Sequence, residues 1–111
     1  MKAAKVDGNS KLIVAAFRGR GCTWLDLHRV GQGCPDGLVG CNGVDRLVEI
    51  KNPDGKDQLT EDQIAFMSEW RGAVPWTVRT LEDVGECVKE MKLEAKAIDA
   101  IIAPVDDWPD E

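Results

Sequence analysis

Asp36, Glu49 and Lys51 are residues whose types and spacing suit chemistry on a charged substrate. They fall within residues 33–51, GCPDGLVGCNGVDRLVEIK, which reads as two short strands joined by a turn. Side chains alternate along a strand, so Leu47, Glu49 and Lys51 share one face while Val48 and Ile50 share the other. A carboxylate and a lysine flanked by apolar residues are costly on a buried sheet. Asp36, which follows Pro35 on the neighbouring strand, brings a second carboxylate towards the first. Two carboxylates and the backbone carbonyl of Ile50 make a hard-oxygen set suited to a divalent ion, with waters and a substrate phosphate completing its shell. Lys51 would then orient an attacking water or stabilise charge building on phosphorus oxygens. The chemistry this combination suits is phosphodiester hydrolysis. The plain alternative is a Glu/Lys pair on an exposed strand, worth well under about 1 kcal/mol. A lone E-x-K is common by chance. Its weight here comes from Pro35-Asp36 before it, a hairpin between them and a capped helix after it.

The elements that must position these residues are readable in order. Residues 4–19 carry Ile13, Ala16 and Phe17 at helical core spacing, with Leu12 alongside; Asp7 or Asn9 could cap the start and Gly19 or Gly21 the end. Lys11 and Arg18 share a face of that helix and read as its solvated side. Residues 22–27 form a first strand, with Cys22, Trp24 and Asp26 on one face. Residues 28–35 form a loop holding His28, the only histidine, which most simply is structural or solvent-facing. Gly31-Gln32-Gly33 fails as a dinucleotide fingerprint, because the third glycine is missing and no helix follows. Residues 37–41 and 46–52 are the second and third strands, joined through Asn42-Gly43, a strong hairpin signal.

Residues 52–58 are a turn-rich acidic loop whose glycine is misplaced for a calcium loop. Thr60-Glu61-Asp62-Gln63 is a capping box opening a helix to about residue 70. Residues 73–79 read as a fourth strand, at an edge or bulged because of Pro75. Thr80 to Asp83 cap a last helix over residues 81–100, with an apolar stripe of Val84, Cys87, Val88, Met91, Ala95 and Ile98. The order α-β-β-β-α-β-α implies an α/β fold with a mixed β-sheet flanked by helices on both faces. Residues 1–103 are expected to form one domain, followed by an acidic tail over 104–111 that is loose or docks Trp108 on a partner.

Composition narrows the function classes. The 111 residues, 43% of them hydrophobic, suffice for one self-supporting core. No apolar run is long enough to span a membrane, and the first ten residues lack the apolar core of a secretory signal, so a cytoplasmic protein is expected. Cys22, Cys34, Cys41 and Cys87 form no C-x-x-C pair and have no histidine cluster beside them; reduced thiols are expected, and a zinc site is disfavoured. Net charge is −6 but uneven: residues 1–35 hold six basic and two acidic residues, whereas after Thr80 ten acids face three lysines. An acidic tail does not forbid DNA binding by a basic surface elsewhere, because salt screens surface fields within about 10 Å.

The runs Gly33-Cys-Pro-Asp36-Gly-Leu-Val-Gly, Leu47-Val-Glu49-Ile-Lys51 and Leu59-Thr-Glu-Asp-Gln63, with Trp70 following, resemble the PD-(D/E)xK nuclease superfamily. Over about residues 7–85 the chain looks most like the small stand-alone virus-type replication-repair nuclease (VRR-NUC) domains, many of them phage-encoded and similar to Holliday junction resolvases. The resemblance implies a restriction-endonuclease-like sheet and a metal-dependent DNA endonuclease acting on branched DNA and leaving 5′-phosphates. It implies that Asp36 and Glu49 bind Mg²⁺ or Mn²⁺, that Lys51 completes the catalytic set and that Gln63 sits beside it. It also implies a homodimer, working in a host cytoplasm if phage-encoded; Trp76 and Trp108 are spare apolar groups for such an interface. Arg18, Arg20, Arg29 and Lys56 are the candidates for DNA backbone contacts.

One position departs from the pattern. The family carries an acid in the first helix, where this chain reads Asn9-Ser10-Lys11-Leu12. Asp7 is the nearest acid, and Asn9 or a water could take its place. A catalytically inactive nuclease-fold module, binding DNA or a protein partner through its acidic last helix, is the competing expectation.

Overall fold

A computed structural model describes residues 8–102. The possible cap Asp7, residues 4–7 of the expected first helix, the 104–111 tail and Trp108 lie outside the described residues. The first helix, α1, spans Gly8–Gly19 and buries Ile13 and Phe17, one turn apart, so a single edge of it enters the core. It ends in a Schellman motif: Gly21 sits at φ +85, its N–H bonds the Arg18 carbonyl at 3.0 Å, and Cys22 N–H bonds Phe17 O at 3.0 Å. Of the two candidate stops, Gly21 supplies the left-handed residue.

Four strands follow in the sheet order β1-β2-β3-β4: β1 (Thr23–Asp26), β2 (Gly37–Cys41), β3 (Val44–Ile50) and β4 (Trp76–Val78). The first three pair antiparallel and β4 joins β3 in parallel, giving a mixed sheet. Asn42 and Gly43 lie at φ 56 and 79, and Cys41 pairs with Val44 across them. This is the two-residue hairpin with both central residues left-handed, whose twist matches that of the strands. It starts β3 two residues earlier than expected and ends it at Ile50, leaving Lys51 just past the strand. β4 is shorter than the expected 73–79 and lies at the sheet edge, with Pro75 buried just before it.

Register assigns the faces. Trp24, Val39, Val48, Ile50 and Val78 point to one side and join Ile13, Phe17, Val84, Val88 and Met91 in the core. Helices α1 and α3 (Leu81–Ile102) cover that side. Leu47 and Glu49 point to the other side, where α2 (Glu61–Glu69) delivers Gln63 to Glu49. The order is therefore α-β-β-β-α-β-α, an α/β fold with helices on both faces of a mixed sheet.

Both capping predictions are met. Thr60 Oγ accepts from Gln63 N–H at 3.2 Å while Gln63 Oε1 accepts from Thr60 N–H at 3.0 Å. Thr80 and Asp83 exchange the same pair of bonds, each at 3.1 Å. The stripe of α3 is buried through Met91, but Ile98 is 44% exposed. The helical period continues there past the sheet that would cover it, so Ile98 is not a core residue. Among the described residues no helix is long and apolar enough to cross a membrane. Cys22, Cys41 and Cys87 are buried free thiols, and burial pushes Cys22 and Cys87 up to about 12.

Candidate active site

The end of β3 brings the candidate residues together. Glu49 is 3% exposed, a buried carboxylate on the face opposite the main core. Its Oε2 accepts from Gln63 Nε2 at 3.0 Å and faces Lys51 Nζ at 3.7 Å. Its Oε1 is fully buried and has no hydrogen-bond partner. Asp36 lies where β2 begins, next to Gly37, which pairs with Val48, so Glu49 is its cross-strand neighbour. Asp36 Oδ2 accepts from Ile50 N–H at 2.7 Å, and its own carbonyl accepts from Leu27 N–H at 2.7 Å. Leu27, just past β1, and Ile50, at the end of β3, thus fix Asp36 through its backbone and its side chain respectively.

The electrostatics follow from this crowding. Burial, then the charge of Asp36, pushes Glu49 up from 4.5 to about 7, against the pull of Lys51. Burial likewise raises Asp36, offset by the Ile50 N–H and by Lys51. The two carboxyl groups lie within hydrogen-bonding reach of each other. Two ionised carboxylates have no hydrogen between them to share. The buried Oε1 accepts no hydrogen bond from the protein, so a proton, a water or a cation must satisfy it.

That orphaned oxygen tests the fit of a divalent ion. Among the described residues no group of three or more His, Cys, Asp or Glu side chains converges. Mg²⁺ commonly needs only one or two carboxylates, with waters and substrate phosphate completing its shell. Backbone carbonyls alternate sides along a strand. The Lys51 N–H points towards β4, to Val78 O at 3.0 Å, so the Ile50 carbonyl points towards β2 and Asp36. Asp36, Glu49 and the Ile50 carbonyl are suited to hold one ion.

Two glycines allow this packing. At Gly33, φ +79, a Cβ would stand 2.1 Å from the Asp62 carbonyl oxygen, so the start of α2 rests directly on the loop before Asp36. At Gly37 a Cβ would stand 2.2 Å from the Trp24 ring. The first contact places Gln63 over Glu49, and the second lets Trp24 lie across the start of β2.

A cavity of about 690 Å³ opens on the α1 side of Asp36. Ser10, Lys11, Val14 and Arg18 of α1 form one wall; Trp24, Asp26, His28, Asp36 and Ile50 form the other. Lys11 and Arg18 therefore face a cavity shared with Asp36 and Ile50, not only solvent, while Glu49, Lys51 and Gln63 lie to the other side of the sheet. Of the four basic candidates for DNA contacts, Arg18 alone lines this cavity: Arg20 lies against Gly85 of α3, and Arg29 and Lys56 are exposed elsewhere. Asn9 does not replace the missing acid through its amide nitrogen, which donates to Lys51 O at 2.6 Å and Arg79 O at 3.2 Å. It clasps the ends of β3 and β4, and the first turn of α1 holds no acid.

Lys11 and Asp26 were not singled out by sequence as site residues. The signals available were a cation pair seven residues apart with Val14 between, and an acid on the same strand face as Cys22 and Trp24. No protein-family model matches the chain, and no curated protein matches it.

Proposed function

We propose that this protein is a metal-dependent DNA endonuclease of the PD-(D/E)xK type, similar to VRR-NUC domains, acting on branched DNA such as Holliday junctions. The observation that carries this reading is the buried Glu49, with an unpartnered Oε1, set beside the carboxyl of Asp36 and with Lys51 at 3.7 Å from its Oε2. A purely structural ion pair would leave no buried oxygen in want of a cation. The mixed sheet with helices on both faces is compatible with a restriction-endonuclease-like fold.

Asp36, Glu49 and the Ile50 carbonyl would hold Mg²⁺ or Mn²⁺, which when bound lowers the pKa of a coordinated water and offsets phosphate charge. Lys51, 3.7 Å from Glu49 Oε2, keeps its ammonium at the mouth of the pair, where it orients the attacking water and meets charge developing on phosphorus oxygens. Gln63 holds the Glu49 carboxylate in place through Oε2, leaving Oε1 without a protein partner. Lys11 and Arg18 attract the DNA backbone to the cleft. Attack in line with the P–O3′ bond leaves a 5′-phosphate. A homodimer would pair two such sites across a junction.

Incubation of the purified protein with a synthetic four-way junction and Mg²⁺ or Mn²⁺ tests the reading. Cleavage by the wild type and its loss in Lys51→Ala are expected; no cleavage with either metal, or equal cleavage by the variant, overturns it. The absence of an acid in the first turn of α1 favours a second reading, a non-catalytic nuclease-fold module. That reading predicts junction binding without cleavage in the same assay.

A further inference from the structure

His28 lines the cavity that opens beside Asp36. Its ring Nδ1 contacts Asp26 Oδ2, and its backbone N–H donates to Asp26 Oδ1 at 3.4 Å, so one carboxylate grips both ends of the residue. A carboxylate can only accept, which puts a proton on Nδ1 and leaves Nε2 as the ring atom available for chemistry. The imidazole is 22% exposed and lines the same cavity as Asp36. Asp26 pairs with Gly37 and so shares the sheet face of Val48 and Ile50, whereas Glu49 and Lys51 lie on the opposite face. His28 and Lys51 therefore approach Asp36 from opposite sides of the sheet. In-line displacement at phosphorus needs the nucleophile and the leaving group on opposite sides in this way.

We propose that His28, oriented by Asp26, is a further catalytic residue of this site: the general acid that protonates the departing 3′-oxygen. The inference rests on the nuclease reading. As the water oxygen bonds to phosphorus beside Lys51, its proton passes to solvent. The P–O3′ bond breaks, its electron pair stays on O3′, and that oxygen takes the proton from Nε2. His28 is left neutral with Nδ1–H still donated to Asp26, and it regains its Nε2 proton from solvent. Asp26 is the positioning residue: it fixes the ring and stabilises the imidazolium.

The test replaces the single bridging 3′-oxygen at the mapped wild-type cleavage site of a four-way junction by sulfur, with Mn²⁺ as the metal. A thiolate leaves without needing a proton. His28→Gln is expected to cut the oxygen substrate about 10²–10⁴-fold more slowly than wild type and the sulfur substrate at the wild-type rate. Asp26→Asn should show the same selectivity with a smaller loss, and Lys51→Ala should lose both substrates. Equal losses on the two substrates in His28→Gln, or no loss on the oxygen substrate, overturn the role of His28. A wild type that cleaves neither substrate overturns the nuclease reading itself, and the assignment of His28 with it.

Discussion

Gln63 and Glu49 are joined by a 3.0 Å hydrogen bond whose donor residue is also half of a helix cap: Nε2 holds Glu49 Oε2 while Oε1 takes the Thr60 N–H. The same amide starts α2 and orients the buried carboxylate, so the helix and the site are set by one side chain. Gln63→Glu separates the two roles, since a glutamate at this position still closes a capping box. It removes the donor to Glu49 and places a second acid against it. We expect α2 to persist by circular dichroism while metal-free stability falls by about 1–3 kcal/mol in urea titration. Unchanged stability would mean that the contact with Glu49 contributes nothing.

Glu49 should make the metal-free protein less stable as pH rises. Its folded value of about 7 lies above its ordinary 4.5, so between these the unfolded chain releases a proton that the folded chain keeps. The stabilisation is complete below 4.5 and is lost as pH passes through about 7. At about 1.4 kcal/mol per pH unit the loss is on the order of 3 kcal/mol. Urea midpoints measured in chelator between pH 4.5 and 8 should fall along this window and flatten in Glu49→Gln. Asp36, also raised, adds to the slope in the same sense.

Much of this arrangement was legible in the sequence, because its signals are local. The Thr60–Gln63 box, the Asn42-Gly43 turn and the alternation around Glu49 each depend on residues within a few positions of one another. They sufficed for the element order and for the nearness of Asp36, Glu49 and Lys51, whereas the place of Gln63 beside Glu49 came from the family resemblance. The grip of Asp26 on His28 was also within two residues, yet its meaning depends on β1 lying beside Asp36, a long-range pairing. Lys11 and Arg18 looked like a solvated helix face because periodicity says which residues share a side, not what that side meets. Ile98 was misplaced for the same reason: the apolar period of α3 outruns the sheet beneath it.

Mn²⁺ should raise the melting temperature, and by more at pH 8 than at pH 6, since binding must displace the proton held between Glu49 and Asp36. At a free concentration of 100 times Kd the gain is about 2.7 kcal/mol. Differential scanning fluorimetry with and without chelator measures it. Asp36→Asn and Glu49→Gln should each abolish the response, whereas Cys34→Ser, beside the pair but not among the proposed ligands, should keep it.

Gly33→Ala should damage the site from outside it. The new Cβ would meet the Asp62 carbonyl at 2.1 Å on a backbone at φ +79, so either the 31–35 loop or the start of α2 must move. Such strain costs about 1–3 kcal/mol. Moving α2 also withdraws Gln63 from Glu49. The expected signature is lost stability together with a weakened Mn²⁺ response. A loss of stability with the Mn²⁺ response intact would show that the loop gives way and α2 stays in place.

The cleft-facing cations should dominate DNA affinity despite the net charge of −6. Lys11 and Arg18 line the cavity beside Asp36, while Arg20 lies against Gly85 and Lys56 projects from the 52–58 loop. A cation that neutralises one phosphate adds about 0.9 to the slope of log affinity against log salt on duplex DNA. Lys11→Ala and Arg18→Ala should therefore each weaken binding and reduce that slope by about 0.9, whereas Lys56→Ala should change neither. Fluorescence anisotropy of a labelled junction over a salt series, in chelator to prevent cleavage, reads both quantities. Equal effects of Lys11→Ala and Lys56→Ala would place the DNA across the molecule by general charge and not in the cleft beside Asp36.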